Sequence, residues 1–291
     1  MTTTAVEPGH RAITDREFAA FQQLVYRHAG ISLSDAKRQL LVGRLSRRLR
    51  ELHLPSFGAY YDLVAQDGEG SSEELVRCLD LICTNETRFF REPSHFEFLA
   101  QRVFPLWRAE GDEGRRAKKV RVWSAACSTG QEPYTLAMLL LAHFPASEGW
   151  TTEVVATDLS TKALRIAVNA TWPIEKAVEI PDAYRKRFML RGTGAETGMM
   201  RAGPELRSII RFSRLNLNDD APYGVGEPFD LLFCRNVMMY FTPEGRARVT
   251  ERLLDHVAPH GYFFVGHAES LHAHRHAVYT VIPTVYSKVR R

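Results

Sequence analysis

The stretch VRVWSAACSTGQEPY, residues 120–134, followed by VVATD at residues 154–158, decides the fold of this 291-residue chain. An apolar run breaks into a turn of small residues, and a helix follows with Pro133 in its opening turn. A second apolar run then ends in the carboxylate of Asp158. This order predicts a doubly wound α/β sheet with a nucleotide pocket at the turn.

The same turn indicates the kind of ligand. Small side chains at 124–130 let a ligand approach the backbone, and the free N–H groups of the following helix point into the same space. Asp158 is placed to accept the two hydroxyls of a ribose. Only Gly130 stands where a dinucleotide fingerprint carries three glycines, which disfavours NAD and favours a ligand without a pyrophosphate, such as S-adenosylmethionine.

Composition sets the class of protein. The chain is 45% hydrophobic, enough for a substantial core. It has no run approaching the roughly 18 apolar residues of a membrane span, and its start lacks the layout of a signal peptide. We therefore expect a cytoplasmic protein without membrane insertion. The four cysteines form no CxxC pair, which predicts reduced, mostly buried thiols, with Cys127 packing in the turn rather than acting as a nucleophile.

Basic residues are unevenly spread, although the formal net charge is only +4. Six of them crowd into one short segment: Lys37, Arg38, Arg44, Arg47, Arg48 and Arg50. Such a cluster on a helix suits an anionic partner, either an acidic protein surface or a nucleic acid. An ordinary solvated helix face gives the same pattern, so both interpretations stay open.

The first part of the chain predicts a small helical domain over 1–82. TDRE at 14–17 matches a capping box, and apolar residues then follow at helical spacing until Gly30. Later helices are expected at 34–52, 56–66 and 72–82. The apolar face of the 34–52 helix would consist of Leu40, Leu41, Leu45 and Leu49.

Residues 94–291 alternate between strands and helices. After a helix near 94–107, apolar runs at 120–124, 153–157, 229–234 and 261–266 alternate with helical segments at 132–143, 160–168 and 243–257. This alternation predicts a Rossmann-like, mostly parallel sheet. The interval 188–214 reads as short strands joined by glycine turns, which predicts a small antiparallel β subdomain.

Polar residues follow several predicted strands, where ligands bind in such folds. Glu132 suits a ligand's amino group or simply the helix dipole. Asp158 suits ribose or the N-cap of a helix that begins near Ser160. Asn216 suits an adenine edge or an ordinary turn.

The most unusual strand end is FCRNVMMYF, residues 233–241. Arg235 and Asn236 come directly after an apolar run, and a buried cation and amide need partners, which favours a functional role. The linker 83–93, with CTNETRFFRE at 83–92, packs polar residues around two aromatics. We predict that it contributes to the ligand site, although its two phenylalanines also suit a purely structural role.

Taken together, four motifs carry a resemblance. They are TNETRFFRE at 84–92, SAACSTGQEPY at 124–134, Asn216-Leu217 and FCRNVMMYF at 233–241. The chain resembles the CheR family of chemoreceptor glutamate methyltransferases, and the likeness extends from the helical domain to GHAES at 266–270. It implies a helical N-terminal domain, a domain that binds S-adenosylmethionine, and methyl transfer to receptor glutamates with S-adenosylhomocysteine as product.

The resemblance also implies roles for individual residues. Arg91 and Tyr240 match positions that face the transferred methyl group and the substrate, so they are the predicted catalytic residues. The implied cofactor contacts are Asn85, Thr87, Arg91, Glu132, Asp158, Asn216, Leu217, Arg235 and Asn236. Gln131 departs from the family's frequent glutamate, and GHAES varies on the usual Gly-His-Ser-Glu. We expect these changes to bear on affinity and not on the transfer chemistry.

The implied reaction asks little of the enzyme. A glutamate with a reference pKa near 4.3 is already an anion at neutral pH, so no general base is required. Alignment of the carboxylate with the methyl group can be worth roughly 7–11 kcal/mol. Arg91 and Tyr240 would provide that alignment.

Two surfaces are predicted to dock the receptor. The basic helix would face the acidic methylation helices through Lys37, Arg38, Arg44, Arg47 and Arg48. The antiparallel subdomain would add a C-terminal tail peptide to its edge through Gly194, Gly198 and Arg201, and a plain hairpin is the alternative. We expect a monomer.

Parts of the sequence also suit other functions. His267, His272, His274 and His276 match no common zinc spacing, so no metal is predicted. A methyltransferase for RNA or a small molecule, a non-catalytic adaptor and a dehydrogenase are the rival interpretations. The motifs at 84–92 and 233–241 disfavour the first, so no nucleic-acid partner is expected.

Overall fold

The computed structural model describes residues 12–66 and 68–290. The chain divides into two compact units, Met1–Thr84 and Asn85–Arg291. Among the described residues, no helix is both long and apolar enough to cross a bilayer.

The first unit is helical. Its helices are α1 (Asp15–Ala29), α2 (Arg38–Glu51), preceded by a 3₁₀ turn at Asp35–Lys37, α3 (Phe57–Ala65) and α4 (Glu69–Ile82). The predicted capping box is present: the Glu17 N–H donates to Thr14 Oγ1 at 3.2 Å, and the Thr14 N–H donates to Glu17 Oε2 at 2.8 Å. Gly30 ends α1 in the left-handed region, with φ 69°. Both predicted ends of the first helix are confirmed.

The apolar face of α2 is narrower than predicted. Leu41, Leu45 and Leu49 are fully buried, whereas Leu40 is 38% exposed. Neighbouring residues on a helix point about 100° apart, so Leu40 and Leu41 cannot both face the core of the unit.

The second unit is built on a seven-stranded sheet. Its strands, in chain order, are β1 (Lys119–Ala125), β2 (Thr151–Asp158), β6 (Ile210–Arg214), β7 (Phe229–Cys234), β8 (Val257–Phe264), β9 (Tyr279–Ile282) and β10 (Val285–Ser287). They lie in the order β6-β2-β1-β7-β8-β10-β9. The first five strands of this order are parallel to one another, and β10 pairs antiparallel with β8 on one side and with β9 on the other.

Helices cover both faces of this sheet. They are α5 (Pro93–Phe98), which continues through a π-helical segment (Leu99–Val103) into α6 (Phe104–Asp112), then α7 (Gln131–His143), α8 (Thr161–Asn169), α9 (Asp182–Phe188), α10 (Pro204–Ser208) and α11 (Pro243–Asp255). Successive strand residues enter opposite cores: Val122 lies in one and Trp123 in the other, and Phe264 and Phe263 alternate in the same way. The strands read as continuous apolar runs because both faces are buried.

The small antiparallel sheet differs in detail from its prediction. It consists of β3 (Thr171–Pro173), β4 (Met189–Arg191) and β5 (Met199–Ala202), in the order β3-β5-β4. The segment at 209–213, which we assigned to it, belongs to β6 and pairs in parallel with β2. β3 lies outside the predicted interval 188–214, because a three-residue strand that ends in proline gives no periodic signal.

Candidate cofactor and active site

The strand order places a crevice at the carboxyl end of β1. The chain leaves β1 to form β2 on one side and later returns to form β7 on the other, so the order reverses at β1. Ligands bind at such switch points in open α/β sheets. The turn after β1 and the loop after β7 both open at this position.

The turn after β1 is held in an uncommon backbone conformation. Ala126, Ser128 and Gly130 have φ values of 65°, 52° and 97°. A Cβ on Gly130 would lie 3.0 Å from the Cβ of Ala167, so glycine is needed both for its φ and for space. Side chains in left-handed conformations persist where the surroundings enforce them, often at ligand sites. Gly130 is the N-cap of α7 and provides no side-chain cap, so the first N–H groups of the helix face the crevice.

Asp158 connects β2 to this turn. Its Oδ2 accepts the Ser128 N–H at 2.7 Å, and its Oδ1 accepts the Ser160 N–H at 2.8 Å. The N-cap of α8 is Ser160, whose hydroxyl accepts the Ala163 N–H, so the N-cap interpretation of Asp158 is wrong. The Asp158 carboxylate, at the end of β2, instead stabilises the turn after β1 through its hydrogen bond with Ser128.

Arg235 lies at the centre of a buried network of charges. Its side chain is 2% exposed, and it pairs with Glu132 Oε2 at 3.2 Å and Glu92 Oε2 at 2.9 Å. It also donates to the Arg91 carbonyl, and Glu132 accepts the Ser124 hydroxyl at 2.7 Å. A buried cation of this kind requires paired anions. Arg235 therefore ties the loop after β7 to α7 and to the start of the unit.

The environment affects the two carboxylates differently. Burial raises the pKa of Glu92, but the Arg235 guanidinium and the His267 N–H outweigh it, so the pKa lies below its usual value. At Glu132, burial dominates and raises the pKa, and Arg235 offsets only part of the effect. The two acids thus depend on the same guanidinium for their charge.

Residues 85–92 fold over the turn. The Ser128 hydroxyl donates to the Asn85 carbonyl at 3.0 Å, and the Phe90 N–H donates to Thr135 Oγ1 at 3.2 Å. The Arg91 guanidinium donates to the Glu86 carbonyl at 3.1 Å and is half-buried. The structure therefore brings Asn85 and Arg91 to the crevice. Thr87 is half-buried in the same segment.

Asn216 and Leu217 follow β6. Asn216 Oδ1 accepts the Asn218 N–H at 3.1 Å, and its Nδ2 donates to Asp219 Oδ1 at 2.6 Å. This is the turn that the second interpretation of Asn216 predicted, and its contact with adenine stays a prediction. Leu217 is buried, and its carbonyl accepts the Tyr223 hydroxyl.

The loop after β7 carries the remaining predicted residues. Asn236 has a φ of 59°, and its side chain lies 3.4 Å from Glu92 Oε1. Tyr240 is half-buried at the end of a 3₁₀ turn, Met238–Tyr240, and its N–H donates to the Val237 carbonyl at 3.0 Å. The structure thus places Arg235, Asn236 and Tyr240 on one short loop.

Sequence reasoning assigned no role to Glu92 or Glu269. Glu92 has a φ of 60° and is buried against Arg235. Glu269 is also buried and binds the loop after β7. Both lie inside motifs that carry the family resemblance, 84–92 and 266–270, and their place in those motifs was the available signal.

The rings of two of the four C-terminal histidines, His274 and His276, lie 6.2 Å apart. His267 lies with Glu92 and His95: Glu92 Oε2 is 3.7 Å from His95 Nδ1 and 3.9 Å from His267 Nε2. Burial, and then Arg235, lowers the pKa of His95 to about 4. The guanidinium of Arg235 already places a cation on this carboxylate. The expected absence of a metal stays a prediction.

The cysteines are free thiols. Cys127 and Cys234 are fully buried near the crevice. Burial raises the pKa of each thiol well above its usual value, and Asp158 and Glu269 respectively add to the shift. A protonated, buried thiol is a poor nucleophile, which fits packing roles for both.

Comparison with known proteins identifies the class. Residues 85–286 match the family described as CheR methyltransferase, SAM binding domain, and residues 16–83 match CheR methyltransferase, all-alpha domain. The protein is therefore a methyltransferase whose cofactor is S-adenosylmethionine, and the predicted fold class is confirmed.

The relatives narrow this further. The chain is 38% identical over 274 residues to chemotaxis protein methyltransferase 2 of Pseudomonas aeruginosa, covering 94% of this chain and 93% of that protein. It is 37% identical over 260 residues to the chemotaxis protein methyltransferase of Escherichia coli, covering 89% and 86%. The chain belongs to the CheR methyltransferase family.

Proposed function

We propose that this protein transfers methyl groups from S-adenosylmethionine to glutamate side chains of methyl-accepting chemoreceptors, forming glutamyl methyl esters in the cytoplasm for sensory adaptation. The names of its relatives support the substrate. The observation that carries the proposal is the crevice at the carboxyl end of β1. There Arg235 pairs with Glu132 at the start of α7 and donates to the carbonyl of Arg91.

The cofactor contacts follow from this geometry. Asp158 would accept the ribose hydroxyls, because it ends β2 beside the turn, where its Oδ2 accepts the Ser128 N–H at 2.7 Å, and a carboxylate has about four acceptor positions. Arg235 and Glu132, already paired, would meet the carboxylate and ammonium of the methionine moiety. Asn85, Thr87, Asn216, Leu217 and Asn236 would complete the cofactor site.

The transfer step is a displacement. When bound, the cofactor supplies a methyl group activated by its sulfonium. The receptor carboxylate would take this methyl group, and the sulfur would leave as the thioether of S-adenosylhomocysteine. Because the acceptor is already an anion at neutral pH, Arg91 would orient it and Tyr240 would contribute a hydroxyl near the reacting carbon, so positioning rather than proton transfer supplies the rate.

The basic residues of α2 do not contribute equally to the proposed docking of methylation helices. Arg44 donates to the carbonyl of Cys83 at 3.0 Å, and Arg48 pairs with Glu74 at 2.5 Å with its side chain 15% exposed. These two act mainly within the unit. Arg38 also pairs within the unit, with Asp15 at 2.9 Å, and its side chain is 28% exposed. Arg47 is 83% exposed, so Arg47 and Lys37 form the surface that we propose for the acidic helices of the receptor.

The small sheet is the proposed site for a receptor tail peptide. Gly194 and Gly198 have φ values of 57° and 86°, which glycine adopts without strain. Arg201 is exposed on the central strand β5, while β3 and β4 are the edges to which a peptide strand would add. We propose a monomer.

Transfer of labelled methyl groups from S-adenosylmethionine to receptor-containing membranes tests the function. We expect label that alkali releases as methanol, because a glutamyl methyl ester hydrolyses readily. Arg91→Ala should lower incorporation at least about 100-fold while the protein remains folded, since misplacing a reacting group can cost that much. Unchanged turnover in Arg91→Ala would disprove the assigned role, and absence of any labelled receptor in the wild type would disprove the function.

A further inference from the structure

The carboxylate of Glu269 accepts three backbone N–H groups. Glu269 lies in the segment GHAES, residues 266–270, after β8, and it is 8% exposed. Its Oε2 accepts the N–H of Asn236 at 2.8 Å and of Gly266 at 2.7 Å, and its Oε1 accepts the N–H of Met238 at 2.7 Å. Within the described part of the chain it forms no ion pair. Its charge is therefore satisfied by oriented N–H donors, which are strong partners for a carboxylate.

Two of these donors belong to the loop that carries the predicted site residues. Asn236 directly follows Arg235, and Met238 begins the 3₁₀ turn that ends at Tyr240. The left-handed conformation of Asn236, φ 59°, needs enforcement by its surroundings. The Glu269 carboxylate accepts the N–H groups of the residues on both sides of Val237 and so enforces this conformation.

Close backbone contact fixes the two segments together. A Cβ on Gly266 would lie 2.5 Å from Asn236 Nδ2 and 2.9 Å from its backbone nitrogen. Only glycine allows the segment that carries Glu269 to approach the loop so closely. Gly266 and Glu269 thus act on the same point of the loop from one side.

We propose that Glu269 is a positioning residue that sets Arg235 and Asn236 against the cofactor and Tyr240 against the acceptor. It touches neither ligand and acts through the backbone of the loop. The placement of Arg235 and Asn236 depends on the cofactor site alone. The placement of Tyr240 against the acceptor rests on the proposed function.

Glu269→Gln in the full chain is the sharpest test, because the shape is kept while one acceptor oxygen becomes an NH₂ group that faces a backbone N–H. We expect the dissociation constant for S-adenosylhomocysteine, measured by calorimetry, to rise about tenfold, because the left-handed backbone of Asn236 loses the carboxylate that enforces it. Methyl transfer at saturating S-adenosylmethionine should fall about tenfold as well. Glu74→Gln is the matched control, because Glu74 is equally buried but binds Arg48 and Tyr60 in the first unit; it should leave S-adenosylhomocysteine binding unchanged.

A double-mutant cycle separates positioning from a general loss of stability. Asn236→Gly removes the side chain but accepts the left-handed backbone; in that background, Glu269→Gln should weaken S-adenosylhomocysteine binding less than about threefold. A full, additive tenfold loss would overturn the proposal. If Glu269→Gln does not fold, Gly266→Ala tests the same contact between the two segments. Wild-type affinity and turnover in either folded variant would also overturn the proposal. A wild type that binds S-adenosylhomocysteine but methylates no receptor would refute only the proposed function, because the binding comparison still decides the role of Glu269.

Discussion

Replacement of Arg235 by Met should destabilise the second unit strongly and in a pH-dependent way. The guanidinium is 2% exposed between Glu92 and Glu132, whose side chains are 8% and 14% exposed. Removing one partner from a buried ion pair typically costs about 3–5 kcal/mol, because the remaining charge stays buried and unpaired. We expect a loss of that size at pH 7.5.

The sign of the pH dependence follows from Glu92. In the wild type its pKa is lowered, so its contribution to stability is present above its unfolded pKa and is lost as the pH falls through the folded value. Without Arg235 only His267 opposes burial, so the pKa of Glu92 rises from its wild-type position. Protonation of Glu92 then removes the buried, unpaired charge from the variant. The difference in unfolding free energy between wild type and variant should therefore be smaller at pH 5 than at pH 7.5.

Tryptophan fluorescence during urea unfolding measures this effect. All four tryptophans, Trp107, Trp123, Trp150 and Trp172, are buried in the second unit, so the signal reports the unit that contains Arg235. Lys119→Met is the control, because its pair with Glu227 is well exposed and should be worth about 0–1 kcal/mol. A loss below about 1 kcal/mol for Arg235→Met, or an equal loss at both pH values, would refute this account of the network.

Three further predictions concern the turn and the docking surface. Asp158→Ala leaves the N–H groups of Ser128 and Ser160 without their acceptor, so calorimetry should show S-adenosylhomocysteine affinity falling at least about tenfold; unchanged affinity would contradict the ribose assignment. Gly130→Ala meets both a φ of 97° and Ala167, so we expect a loss of about 1–3 kcal/mol in urea unfolding, and a stable variant would show that the turn can relax. Arg47→Glu should raise the KM for receptor more at low salt than at high salt; a KM independent of ionic strength would exclude this part of α2 from docking.

Local signals predicted the elements that they encode well. The capping box at Thr14 and Glu17 and the left-handed Gly30 fixed both ends of α1, because these residues satisfy the terminal N–H and C=O groups through contacts within one turn of chain. The apolar runs that became β1, β2 and β7 were equally clear, since strands buried on both faces are apolar throughout. Motifs shared with the CheR family then gave the cofactor.

The misplaced strand shows where local signals fail. Ile210–Arg214 is a good strand former beside either sheet, and its neighbour is decided by pairing with β2 across more than 50 residues of sequence. β3 is too short to show a period. Leu40 was assigned to the core by its type alone, although its direction on α2 turns it outward.

Within the site, the sequence by itself determined which chemical groups are available: a glycine at 130, an acid at 158, and a cation and an amide at 235 and 236. Only the tertiary structure decided how these groups are paired. Glu92 meets Arg235 across 143 positions of chain, and Glu269 grips the N–H groups of Asn236 and Met238 from a different strand end. A buried charge must find its partner wherever the fold places one, so the residues that hold this loop in position became visible only when the strands were assembled side by side.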